Sequence, residues 1–192
     1  MTRGADYRRG SLQQQDYDYA QTGAYFVTVC AQDRACLFGA IVDGQMRLNA
    51  AGREAGQCWL QIPRHFPNVE LDEFVVMPNH LHGIVALGDG GRGTACRAPT
   101  VERFGKPISG SLPTVLRSFK SAVTKRINAL QETPGAAVWQ RNYYEHIIRD
   151  EASLHGIREY IVNNPLQWAL DRENPTNETG RGVVGATFPL FQ

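Results

Sequence analysis

Two histidines one residue apart, His80 and His82, stand in the run Val75-Val76-Met77-Pro78-Asn79-His80-Leu81-His82-Gly83-Ile84-Val85. Side chains on a β-strand alternate between faces, so the two imidazoles project to one side and Leu81 to the other. A same-face imidazole pair is costly to bury without a partner, and it can grip one divalent metal ion. Neutral imidazole suits Zn, Mn, Fe or Ni; a mixed nitrogen and oxygen set with open positions suits Mn or Mg. Far along the chain Tyr160 precedes Asn164 by four positions in a helical pattern. Four residues is about one turn, so phenol and amide face the same way. Two imidazoles, an amide oxygen and a phenol are enough to break a phosphodiester, provided the phenol, with an ordinary pKa of about 10, is activated. Tyr143 and Tyr144 are rival nucleophiles, but neighbours on a strand face opposite sides. The bland alternative is that the histidines and Tyr160 are core or rim residues. His146 is a candidate third ligand or a packing residue; His65 and His155 read as surface or helix-end positions.

These side chains need elements to hold them. Residues 24–30, rich in β-branched and aromatic side chains, read as a first strand. Residues 37–48 read as a hairpin turned at Asp43-Gly44. Asn49 caps a helix reaching about His65, with Pro63 and Pro67 marking its end. Strands follow at 69–77 and 80–87, with Pro78-Asn79 between them. Ser111 caps the next helix and Pro113 sits in its first turn. Leu112, Leu116, Phe119, Val123, Ile127 and Leu130 recur there as one apolar stripe. Residues 143–149 form the last strand. Asp150 then caps a helix to about Asn164, with Leu154, Ile157 and Ile161 as its core stripe, and Pro165 weakens or ends it.

The order β, α, β, β, α, β and one more helix predicts an α+β domain. Its form is a ferredoxin-like antiparallel sheet with helices on one face, plus an extra C-terminal helix carrying Tyr160. The third strand is central in that arrangement, which puts the histidine pair on a rigid platform. The boundaries expected are a flexible basic arm over 1–22, a domain over 23–172 with a Gly-rich insertion at 88–110, and a loose tail over 173–192.

A chain of 192 residues, 42% of them hydrophobic, can bury one sizeable core. No run of about 18 apolar residues offers a membrane span, and the first residues lack an apolar signal core. Cys30, Cys36, Cys58 and Cys96 show no CxxC pairing, so neither a disulfide framework nor a zinc knuckle is expected, and a cytoplasmic setting fits. The net charge is only +1, but it is unevenly spread. Between residues 92 and 126 eight basic side chains, among them Arg117, Lys120 and Lys125, face the single acid Glu102. Such clustering can replace counterions on phosphates, and Arg8 and Arg9 add to it in the arm. A solvated helix face beside a charged loop is the plainer reading. Gly88-Asp89-Gly90-Gly91-Arg92-Gly93 matches GxGxxG by letter, but no helix opens after it, so a dinucleotide site is not expected.

Three blocks, Val76-Met77-Pro78-Asn79-His80-Leu81-His82-Gly83, Trp139-Gln140-Arg141-Asn142-Tyr143-Tyr144-Glu145-His146-Ile147-Ile148-Arg149 and Tyr160-Ile161-Val162-Asn163-Asn164-Pro165, together resemble the REP-associated tyrosine transposases. These are relatives of the single-tyrosine HUH transposases of small bacterial insertion sequences. The resemblance spans residues 20 to 172. It implies that His80 and His82 are metal ligands, that Asn164 completes the site where the insertion-sequence enzymes more often carry Gln, and that Tyr160 is the nucleophile. It further implies a divalent cofactor (Mg or Mn), cleavage and rejoining of single-stranded or hairpin DNA through a 5′-phosphotyrosine, and an open choice between monomer and homodimer. Arg8, Arg9, Arg117, Lys120 and Lys125 would then hold DNA phosphates. Two alternatives stay open: a non-enzymatic nucleic-acid-binding module on the same sheet, and a metal-dependent nuclease that uses water.

Overall fold

The computed structural model describes residues 22–88, 108–171 and 173–176. Arg8, Arg9 and most of the 88–110 insertion lie outside the described residues. Among the described residues no helix is long and apolar enough to cross a membrane.

Strand β1 (Gly23–Cys30) pairs antiparallel with β5 (His80–Leu87) on one side and β6 (Tyr144–Ile148) on the other. β4 (Val69–Val76) closes the far edge, giving the order β4-β5-β1-β6. With helices between β1 and β4 and between β5 and β6, this is the ferredoxin-like arrangement the element order predicts. β5 is an inner strand, so its side chains are fixed by neighbours on both sides. A separate hairpin, β2 (Gly39–Val42) and β3 (Gln45–Leu48), turns at Asp43 and Gly44. Both turn residues have positive φ, 52° and 72°, the I′ geometry that matches strand twist.

Alternation along β1 sorts the molecule into layers. Tyr25, Val27 and Val29 point into a large core with helices α1 (Ala50–Leu60) and α3 (Leu112–Gln131). Phe26 points the other way, into a smaller core with Ile84, Ile157 and Ile161 under helix α4 (Glu151–Asn163). Helix α4 is therefore the extra helix, and it covers the face that carries His80 and His82. Gly83 shows how tightly the other face is packed. A Cβ there would lie 2.4 Å from the ring of Trp59, which is fully buried.

Several local expectations shift. The helix expected over 50–65 breaks at Gln61 into α1 and α2 (Ile62–His65), because Pro63 has no N–H to continue the ladder. Asn49 caps α1, its Oδ1 accepting from Gly52 N at 2.9 Å. Ser111 occupies the cap position of α3, but its hydroxyl donates to Ile108 O instead of accepting from the helix. Leu130 ends the α3 stripe half exposed, while Val115 joins the buried set. Of the tail expected over 173–192, residues 177–192 lie outside the described residues, and its first residues make contacts with the domain. Glu173 N donates to Asp171 Oδ1, and Asn174 is buried with its amide on Trp168 O.

Candidate metal and nucleophile site

His80 and His82 open β5 on the α4 face, and both are buried. Their Nε2 atoms converge to 3.0 Å. What aims them is the far side of each ring. Asn79 Nδ2 donates to the carbonyls of Arg34 and Glu173, which fixes that amide's orientation. Its Oδ1 therefore faces His80 Nδ1, at 2.8 Å, and accepts the Nδ1 proton. Thr28 Oγ1 lies 2.8 Å from His82 Nδ1 and can accept in the same way. With both Nδ1 protons so engaged, both Nε2 lone pairs face one point. Phe26 stacks on His82 at 5.3 Å between centroids and walls the site.

Helix α4 brings the phenol. Asp150 Oδ1 caps it at Ser153 N, and Ile157 and Ile161 anchor its inner face. A bulge in β4 between Leu71 and Phe74 lets Asp72 meet Arg158 in a two-pronged ion pair, which sets the helix along the sheet edge. Tyr160, half buried on this helix, packs edge-on against Phe26, and its Oη lies 3.3 Å from His82 Nε2. Tyr143 packs against the α1–α3 core, and Tyr144 stands on Phe26.

After α4 the chain tightens into a 3₁₀ helix over Asn164–Leu170 and turns back over the histidines. Asn164 is buried, and its Oδ1 has no hydrogen-bond partner. Its Nδ2 donates to Asp171 Oδ2 at 3.3 Å. Asp171 Oδ2 in turn lies 4.0 Å from His80 Nε2, with the side chain 5% exposed. Ligand atoms of His80, His82 and Asp171 all fall within 4.8 Å of one another. Asp171 and the orienting residues Thr28 and Asn79 are what sequence reasoning missed. Asn79 adjoins the histidine pair and carried a signal; Asp171 lies beyond Pro165, where helical spacing no longer reports direction.

These residues fit a divalent ion. Two imidazole nitrogens, one carboxylate and a buried amide oxygen lacking a donor form a mixed nitrogen and oxygen set. Nitrogens 3.0 Å apart subtend roughly a right angle at an ion about 2.1 Å from each. Burial holds both imidazoles neutral: it pushes His80 down to about 4, with Asp171 opposing the shift, and holds His82 well below its ordinary value, with His80's charge adding to the effect. Neutral imidazole is the ligand form. His146 sits opposite Phe26 on β6, outside the three-residue group.

The basic residues of α3 lie in the helix layer across the sheet from this site. Arg117 and Lys125 are exposed. Lys120 is differently employed: its Nζ donates to the carbonyls of Gln140, Arg141 and Asn142 at 2.7, 3.2 and 3.0 Å. Burial pushes this ammonium down to about 8.

No family model matches the chain. A Haemophilus influenzae protein described only as "Uncharacterized protein" is 44% identical over 170 residues, covering 86% of this chain and 93% of that one. A second Haemophilus influenzae protein, provisionally named a REP-associated tyrosine transposase, is 25% identical over 175 residues, covering 90% of this chain and 88% of that one. The solved structure of a REP-associated tyrosine transposase bound to a REP hairpin has a TM-score of 0.51 at 21% identity. It covers 85% of this chain and 74% of that one, and it shares the fold. In its three sequence blocks and in its fold, the chain is similar to the REP-associated tyrosine transposases that these comparisons name.

Proposed function

We propose that this protein cleaves and rejoins single-stranded DNA beside a hairpin, with Tyr160 as the nucleophile. One observation carries the reading: Tyr160 Oη lies 3.3 Å from His82 Nε2, which itself lies 3.0 Å from His80 Nε2. Attacking oxygen and ligand pair can thus address one phosphate. The hairpin preference draws on the relative solved with a REP hairpin.

His80, His82 and the side-chain oxygens of Asn164 and Asp171 would hold a divalent ion, Mg or Mn, which when bound withdraws charge from a scissile phosphate. Tyr160 Oη attacks the phosphorus in line and gives up its proton. The bond to the 3′ oxygen breaks, and that oxygen takes a proton to become a free 3′-OH. The 5′ phosphate stays on Tyr160. Bond count is unchanged, so a second 3′-OH can reverse the step and join strands without water or a nucleotide cofactor. Phe26 and α4 hold the phenol in place and keep water from one side of it.

The test is incubation of the full chain with end-labelled hairpin DNA and Mn²⁺, followed by a denaturing gel. A shifted, protease-sensitive protein–DNA band that chelator abolishes is expected. Cleavage without retained DNA would favour a water-using nuclease. Chelator-resistant binding with no cleavage would favour a non-enzymatic module.

A further inference from the structure

A groove of about 450 Å³ runs between α3 and the segment 137–141. Its walls carry Lys120, Ser121, Thr124 and Lys125 from the helix and Gln140 and Arg141 from the segment, with no carboxylate among its lining residues. The bonds from Lys120 Nζ to three successive carbonyls fix the shape of the segment, so the ammonium is part of the floor. Arg141 and Lys125 are exposed on opposite walls, and neither has an ion-pair partner among the described residues. Three other guanidinium groups are already committed. Arg126 bonds Glu54 and Gln61, Arg158 bonds Asp72 and Arg34 bonds Glu173. Arg117, exposed and one turn before Ser121, extends the same helix face.

The groove is tied to the histidine site through the end of β1. Gln140 N donates to Cys30 O, and Trp139 bridges Ala31. Cys30 is the residue directly across from His80. A strand lying in the groove reaches the α4 face by rounding that end of the sheet.

We propose that this groove binds the sugar–phosphate backbone of the single-stranded DNA that leads to the Tyr160 site, an inference that rests on DNA being the substrate. Lys125 and Arg141 contact phosphates, and the hydroxyls of Ser121 and Thr124 donate to phosphate oxygens. Contacts of this kind set affinity and path but carry no sequence information.

The experiment is fluorescence anisotropy of the full chain with a hairpin oligonucleotide bearing a single-stranded flank, across salt concentrations. The double variant Lys125→Ala/Arg141→Ala should lower the salt slope by about 1.4, at roughly 0.7 per phosphate contact. Its affinity should fall roughly 25-fold at 0.1 M salt, with the loss vanishing toward 1 M. The charge-keeping pair Lys125→Arg/Arg141→Lys should retain binding. Arg53→Ala, a cation outside the groove, should leave the slope unchanged. Wild-type slope in a double variant whose circular dichroism is unaltered would overturn the groove and leave the DNA reading standing. An equal loss in Arg53→Ala would overturn it as a site, and no wild-type binding at all would remove the DNA reading together with it.

Discussion

Thr28→Val tests how the imidazoles are aimed without touching a ligand. The swap keeps shape and deletes one oxygen, at a side chain 6% exposed and 2.8 Å from His82 Nδ1. His82 then has two options. It can keep its Nδ1 proton without an acceptor, at about 1–3 kcal/mol for a buried unpaired donor. Or it can move the proton to Nε2, the atom 3.0 Å from His80 Nε2 and 3.3 Å from Tyr160 Oη, which removes that nitrogen as a ligand. The first outcome lowers stability and the second lowers metal affinity. Loss of an orienting partner costs typically ~10–100-fold in affinity, or roughly 1.4–2.7 kcal/mol. Mn²⁺ titration followed by electron paramagnetic resonance of the free ion reads the second; a urea midpoint reads the first. A variant with both wild-type Mn²⁺ affinity and a wild-type midpoint would refute the orienting role of Thr28.

Three further outcomes follow from the packing and the charges. Gly83→Ala places a carbon 2.4 Å from the buried Trp59 ring, so it should cost about 1–3 kcal/mol as overpacking; an unchanged thermal midpoint would mean the sheet gives way freely there. Asp171→Asn keeps the volume and removes the charge nearest His80 Nε2, and should weaken Mn²⁺ binding in calorimetry by tenfold or more, an expectation that equal affinities would defeat. Burial pushes His80 down to about 4, against about 6.5 unfolded. Between those values the unfolded chain binds a proton that the folded one does not. In metal-free buffer this stability is present in full above about pH 6.5 and is lost as pH falls toward 4, so urea midpoints should drop from about pH 7.5 to about pH 5, and a flat profile would contradict the buried neutral pair.

The fold was legible because its signals are periodic. The β-branched and aromatic run at 24–30, the α3 stripe as far as Ile127 and the caps at Asn49 and Asp150 all report on local geometry, and these hold. The histidine pair was legible for the same reason: a strand fixes both directions at once. The site's third side was not. Asp171 reaches His80 only after a 3₁₀ segment has turned the chain back, and Thr28 reaches His82 only through the β1–β5 register. Neither relation leaves a trace in spacing. Counting charge also did not disclose what Lys120 does within the fold. Composition cannot separate a cation that faces solvent from one spent on three backbone carbonyls.

Tyr160 carries the chemistry proposed for this protein, and its hydroxyl can be removed with little effect on packing, since the ring's contacts with Phe26 and His82 remain available to phenylalanine. The decisive measurement is mass spectrometry of the protein trapped on hairpin DNA with Mn²⁺, after nuclease and protease digestion. A nucleotide mass on the peptide holding Tyr160, absent in Tyr160→Phe while that variant still binds DNA, is the expected result. An adduct on Tyr143 or Tyr144, or an undiminished adduct in Tyr160→Phe, would contradict it.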